Sequence, residues 1–372
     1  MSEQNVHGHA VHPEPRPVLG RLPKYAAGKP AAPVPGLTSY KLSSNENPFP
    51  PLPEVLQAAH DAVALDRYPD PLATALRNEL AECLEVLAED IVTGGGSLGA
   101  LIQVLSAYAG TNDDGEADEV IYPWRSFEAY PIVVETAGAR SVQVPLLADQ
   151  RHDLDAMAAA VTQNTSVIIL CTPNNPTGPV LRTDEVEAFI AKVPSNVLIV
   201  IDEAYQEFVR VEDAVDGIEM YRKHPNVVAL RTFSKAHGLA NLRVGYTVAK
   251  PEITQHLRVT AVPFAVSTVA EAAAVASLRA TDAVMGRVEE LVEERERVVA
   301  ALAGQGWKLP ESQGNFVWLA LGERAAEFAA RASERALAVR AFAGEGVRVS
   351  IGEVEGNDRF IALAGDWLAE QD

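Results

Sequence analysis

Three short apolar runs, each closed by a polar cluster, constrain this chain more than any other feature. Ser166–Cys171 (SVIILC), Asn196–Ile201 (NVLIVI) and Asn226–Leu230 (NVVAL) are rich in Val, Ile and Leu and are bounded by Pro, Asn or charged residues. Runs of about four to eight such residues, with breakers at both ends, suit strands buried on both faces. Helical stretches lie between them, for example 182–192. Upstream, residues 98–109 (LGALIQVLSAYA) carry a helical pattern, and 119–122 and 141–145 read as short strands. This alternation predicts an α/β domain with a mostly parallel sheet.

The pattern changes further along. A long helical stretch is expected over 267–304, closed by Gly304 and Gly306. A strand at Asn315–Leu319, a helix over 323–337, short strands at Ala338–Arg340 and Val347–Ile351, and a last helix over 357–370 follow. We read 52–260 as a large domain and 261–372 as a smaller α+β domain. Residues 1–20, rich in Pro and His, read as a flexible arm. His7, His9 and His12 lie close together there, but no Cys or carboxylate cluster accompanies them, so no metal site is expected.

Composition narrows the function. The formal net charge of −20 disfavours nucleic acid and anionic membranes as partners. No apolar run approaches the roughly 20 residues needed to span a bilayer, and the first residues show no apolar signal core. Two distant cysteines, Cys83 and Cys171, exclude a disulfide framework and suit a reducing, cytoplasmic setting.

On so acidic a chain, an anion site must be built from local groups. The three runs lead into Thr172–Gly178 (TPNNPTG), Asp202–Tyr205 (DEAY) and Arg231–Lys235 (RTFSK). Ligands of open α/β sheets bind beyond the carboxyl ends of the strands, so Asn175, Asp202, Tyr205, Ser234 and Lys235 are expected around one crevice. Asp202 follows five apolar residues, and a buried carboxylate there needs a cation or strong donors. Lys235 and Arg243, with the hydroxyls of Thr232 and Ser234, suit a phosphate. Gly94–Ser97 (GGGS) opens a helix, whose free N–H groups favour an anion, although the GK[ST] ending of a P-loop is missing. Pyridoxal phosphate uses all of these groups: a lysine for a Schiff base, an acid for its ring nitrogen and a phosphate cradle.

The motifs SSNENPFP (43–50), RYPDP (67–71), TPNNPTG (172–178), DEAYQEF (202–208), RTFSKAHGLANLRVGY (231–246) and GVRVSIG (346–352) resemble, in order and spacing, the fold-type-I pyridoxal-phosphate aminotransferases of the histidinol-phosphate aminotransferase family. The resemblance spans roughly 20–370. PWRSFEAYPI (123–132) is more similar to the branch acting on phenylalanine and other aromatic amino acids.

The resemblance implies that Lys235 holds the cofactor and shuttles the proton, and that Asp202 pairs with the ring nitrogen. Asn175 and Tyr205 would bond the phenolic oxygen, and Phe127 would stack on the ring. Ser234, Arg243 and the backbone of Gly96 and Ser97, with Thr232 beside them, would hold the phosphate. Tyr68 would reach that phosphate from the neighbouring subunit of a homodimer, and 21–51 would pack on the smaller domain or the partner. Arg348 would clamp the substrate anion, with Arg340 a second donor and Tyr25, Asn45 and Asn315 lining the substrate side. His237 and Asn241 depart from the family pattern and are expected to be packing variants. The expected reaction is a ping-pong transfer from an aromatic amino acid to 2-oxoglutarate. The alternatives are transamination of histidinol phosphate, and decarboxylation or elimination on the same scaffold.

Overall fold

Neighbouring residues of the expected strands face opposite sides of one sheet. In a computed structural model, which describes residues 14–370 apart from Ala26, Ala27, Lys29, Ala32, Asn112 and Asp113, Ile168 and Leu170 join one buried cluster while Val167 and Ile169 join another. Ile199 and Ile201 divide from Leu198 and Val200 in the same way. The two-residue period of a strand places neighbouring side chains on opposite faces, so a sheet covered on both sides needs continuous apolar runs. Each fully buried Val, Ile or Leu contributes about 1.5–3 kcal/mol. His7, His9 and His12 lie outside the described residues.

In chain order the elements are β1 (Tyr40–Lys41), α1 (Pro53–Asp61), α2 (Thr74–Leu84), β2 (Ile91–Gly95), α3 (Gly96–Tyr108), β3 (Glu119–Trp124), α4 (Ala129–Ala137), β4 (Arg140–Pro145), α5 (Leu154–Ala159), β5 (Thr165–Cys171), α6 (Thr183–Ile190), β6 (Leu198–Asp202), α7 (Gly217–Lys223), β7 (Val227–Thr232) and β8 (Val244–Val248). They continue with α8 (Pro251–Thr260), α9 (Thr268–Arg279), α10 (Thr281–Gln305), β9 (Phe316–Gly322), α11 (Ala325–Glu334), β10 (Leu337–Ala338), β11 (Arg340–Phe342), β12 (Glu345–Ser350) and α12 (Val354–Ala369). A seven-stranded sheet has the order β2-β8-β7-β6-β5-β3-β4, in which only β8 runs against the others. The carboxyl ends of β5, β6 and β7 therefore lie together.

A second core surrounds the antiparallel sheet β11-β12-β9, with Phe328, Phe360 and Trp367 buried in it. β1 pairs in parallel with β10, and Leu42 is buried in this core, so the segment before α1 is tied to the smaller unit.

The structure departs from the sequence reading at several boundaries. The stretch 267–304 is two helices, interrupted at Ala280, whose backbone is non-helical. α9 packs on α1 and α2, and its Ala270, Ala273 and Ala274 belong to the first core. α10 buries Val288, Leu291 and Val298 in the second. The first core thus continues past the division read at 260. The apolar period alone does not reveal which core a helix face meets. The strand read at 338–340 is two, β10 and β11, in different sheets. Residues Pro17–Gly20 form one 3-10 turn, and Arg16 donates to the Thr136 carbonyl of α4 at 2.8 Å. Among the described residues, no helix is long and apolar enough to cross a membrane.

Candidate active site

A cavity of about 360 Å³ opens beyond the carboxyl ends of β5, β6 and β7, between the two cores. Ser97, Phe127, Asn175, Asp202, Tyr205, Thr232, Ser234, Lys235, Arg243, Arg340, Arg348 and Tyr25 all line it. The polar ends of the three strands thus converge as the sheet topology requires.

Lys235 follows β7 and is half-buried. Its Nζ donates to the carbonyls of Ser44 and Asn45, each at 3.2 Å. Loss of hydration, with Arg348 close by, lowers its ammonium to about 7 from the ordinary 10.5. A lysine in this state supplies a free amine near neutral pH.

Asp202 ends β6 and is buried. Tyr130, from α4, donates to its Oδ2 at 2.6 Å, while Oδ1 has no hydrogen-bond partner. Burial raises this carboxyl to about 6 against the lowering effect of the Tyr130 hydroxyl. A buried acceptor oxygen without a donor is costly, and it fits a ligand that brings its own N–H. Tyr130 was not read from the sequence: it lies 72 positions from Asp202, and no local spacing links them.

Asn175 and Tyr205 are oriented by partners behind them. Arg348 Nη1 donates to Asn175 Oδ1 at 2.5 Å, which leaves the amide nitrogen as the free donor. Asn45 Nδ2 donates to Tyr205 Oη at 3.0 Å, so the hydroxyl proton is free to point elsewhere. Asn174, the other asparagine of the loop, braces it by bonding Ser126, Thr177 and the Arg125 carbonyl.

The anion cradle combines three elements. α3 begins at Gly96, two residues before the expected start, so Gly96 and Ser97 form its first turn. Arg243 Nη1 donates to Ser234 Oγ at 3.2 Å. Gly96 has φ +76°, and a Cβ there would collide with the Arg243 guanidinium. Gly245 is needed for a second reason, because a Cβ would strike the backbone of Ser97. Thr232 lines the cavity, and its Oγ1 accepts from the Ser234 N–H at 3.2 Å.

Four expected site residues sit differently. Asn45 and Asn315 are fully buried and do not line the cavity; Asn45 instead bonds Tyr205, which does. Asn315 Nδ2 donates to the Asn45 carbonyl, and Ser350 Oγ bonds Asn45 Oδ1 at 2.8 Å. Arg340 lines the cavity, but its guanidinium is held by Glu128, with Nη2 at 2.6 Å from Oε2. Tyr68 is 82% exposed, stacks on Phe264 at 4.6 Å and stands outside the cavity of its own chain. Tyr25 and Phe127, which both line the cavity, meet edge-on.

Arg348 is buried, and its Nη2 donates to the Ser43 carbonyl at 2.8 Å. Its Nε has no partner. His237 touches Ser277 Oγ of α9 at 2.8 Å, and burial lowers its imidazole to about 4, so it packs as a neutral ring. Asn241 is exposed.

The family model for aminotransferase class I and II matches residues 38–362. The chain belongs to that family. It is similar to an aromatic amino acid aminotransferase of Streptomyces avermitilis, with 54% identity over 96% of this chain and 98% of the relative. A protein of the same description from Thermobifida fusca is 50% identical over 94% and 96% of the two chains. Among solved structures, histidinol-phosphate aminotransferase from Sinorhizobium meliloti in complex with pyridoxal-5'-phosphate superposes with a TM-score of 0.80. It is 29% identical, over 89% of this chain and 91% of that one.

Proposed function

We propose that this chain is a pyridoxal-phosphate-dependent transaminase that moves the amino group of an aromatic amino acid to 2-oxoglutarate. The buried, unpartnered Oδ1 of Asp202, a residue that lines the same cavity as Lys235, carries the cofactor reading. The residues present fit that group: Lys235 to hold it, Asp202 for its ring nitrogen, Asn175 and Tyr205 for its phenolic oxygen, Phe127 against the ring, and the α3 turn with Ser234 and Arg243 for the phosphate. Bound pyridoxal phosphate supplies an electron sink that makes the substrate Cα–H acidic.

The protein's own groups do the rest. Arg348, which lines the cavity, binds the substrate carboxylate and holds Asn175 in the same act. Its position sets the Cα–H toward Lys235. Lys235 Nζ, largely unprotonated above pH 7, takes the Cα proton. The low polarity of the buried floor keeps Asp202 from spending its charge on water.

The aromatic preference draws on the relatives named aromatic amino acid aminotransferases, at 54% and 50% identity, and on the rings of Tyr25, Phe127 and Phe342 that line the cavity. For the assembly, we infer a homodimer. Leu65, Tyr68, Val259, Val262 and Phe264 are exposed, which suits a covered face, and Tyr68 would then serve the phosphate of the partner's site. Both cysteines are free thiols, in keeping with the cytoplasm.

A transamination assay with 2-oxoglutarate tests the proposal, comparing phenylalanine and tyrosine with histidinol phosphate as donors. Faster turnover of the aromatic donors is expected. A preference for histidinol phosphate would replace the substrate assignment and leave the reaction class intact.

A further inference from the structure

Arg340 and Arg348 face each other across β11 and β12 in register, and both line the cavity. Two guanidiniums side by side would make a strong anion pocket. Of the two, Arg340 is matched by a carboxylate, whereas Arg348 donates to the neutral oxygens of Asn175 and Ser43. Glu128, at the start of α4, lies against Arg340 with Nη2 at 2.6 and 2.9 Å from its two oxygens and Nε at 3.2 Å. The pair is partly buried, with side chains 16% and 29% exposed, so solvent screens it weakly. The next arginine, Arg125, is likewise matched, by Glu345.

We propose that Glu128 is a specificity-determining residue: by neutralising Arg340 it makes the distal end of the substrate cleft fit an uncharged ring and turn away donors that end in phosphate. This rests on the aromatic reading above. A phosphate dianion seated on Arg340 must either displace Glu128, leaving a carboxylate unpaired in a partly buried site, or share the guanidinium with it at like-charge distance. A single carboxylate, as on 2-oxoglutarate, carries half that charge. An aromatic ring asks for neither. It meets the Phe342 ring, over which the Arg340 guanidinium sits at 5.4 Å, and the edges of Phe127 and Tyr25. The discrimination is built from a repulsive element as well as an attractive surface.

The test is Glu128→Gln in the cofactor-loaded protein, which removes the charge and keeps the shape and an acceptor for Arg340. The quantity to read is the ratio of kcat/KM for histidinol phosphate to kcat/KM for phenylalanine. We expect it to rise by about tenfold or more, the effect of removing one close like charge. 3-Phenylpropyl phosphate, an unreactive probe, should inhibit phenylalanine turnover more tightly in the variant by a similar factor. In the double variant E128Q/R340Q the gain should disappear, because the cation that receives the phosphate is gone. A ratio within twofold of the parent in E128Q, or a gain that persists without Arg340, would overturn the proposal. Absence of aromatic transamination in the unaltered protein would instead overturn the substrate reading on which it rests.

Discussion

Arg348 and Asn175 stand 173 positions apart and meet at 2.5 Å, Nη1 to Oδ1, joining β12 of the smaller core to the loop after β5. In the proposed roles, one contact would couple the residue that binds the substrate carboxylate to one that bonds the cofactor. Arg348 pulls the Asn175 carbonyl oxygen toward itself, and the amide nitrogen is left as a donor to the cleft. Burial lowers the guanidinium pKa, but an arginine remains charged throughout the working range.

Arg348→Lys should lower kcat/KM for phenylalanine by about a hundredfold, since a point charge replaces a planar fork and Asn175 loses its orienting donor. Steady-state kinetics check the rate. The cofactor's visible absorption should shift as well, because Asn175 no longer presents its amide in a fixed direction. A loss confined to KM, with an unchanged spectrum, would separate Arg348 from Asn175.

Asp202 is held at a cost to the cofactor-free protein. Its carboxyl is raised to about 6 from the ordinary 3.8. The folded state therefore holds the proton longer than the unfolded state, and stability falls as pH rises from about 4 to 6. Asp202→Asn should raise the stability of the cofactor-free protein at pH 7 by about 2–3 kcal/mol, with little effect below pH 4. The same substitution should weaken the loaded protein's turnover by at least about a hundredfold. Thermal unfolding at two pH values, with and without pyridoxal phosphate, reads both halves.

The Lys235 ammonium is lowered to about 7. The free amine is the nucleophile, so capture of pyridoxal phosphate should speed up by about tenfold per pH unit below that value and level off above it. Stopped-flow absorbance on cofactor-free protein gives the profile. Lys235→Ala should leave the phosphate cradle able to bind the cofactor and reduce turnover by about 10²–10⁴-fold or more.

Gly96 tests the cradle. Its φ of +76° and its closeness to Arg243 both argue against a side chain. Gly96→Ala should destabilise the protein by about 1–2 kcal/mol. It should weaken pyridoxal phosphate binding by about tenfold as Arg243 is pushed from Ser234. Equilibrium titration of the cofactor checks this.

By itself the sequence determined the mostly parallel sheet and which polar groups gather at the carboxyl ends of its strands. The runs before Thr172, Asp202 and Arg231 are local signals, because burial on both faces demands unbroken apolar residues, and strand direction then places the three polar ends together. Asn175, Asp202, Tyr205, Ser234 and Lys235 were expected around one crevice for that reason, and they line one cavity. Tertiary structure alone decided the partners. Tyr130 on Asp202, Glu128 on Arg340, and Asn45 with Asn315 are pairings between residues far apart in the chain. The division of one long apolar period into α9 and α10 was also settled by which core each helix meets. Periodicity and motif spacing act over a few residues, whereas a hydrogen bond or a packed face depends on where the whole chain has brought two groups.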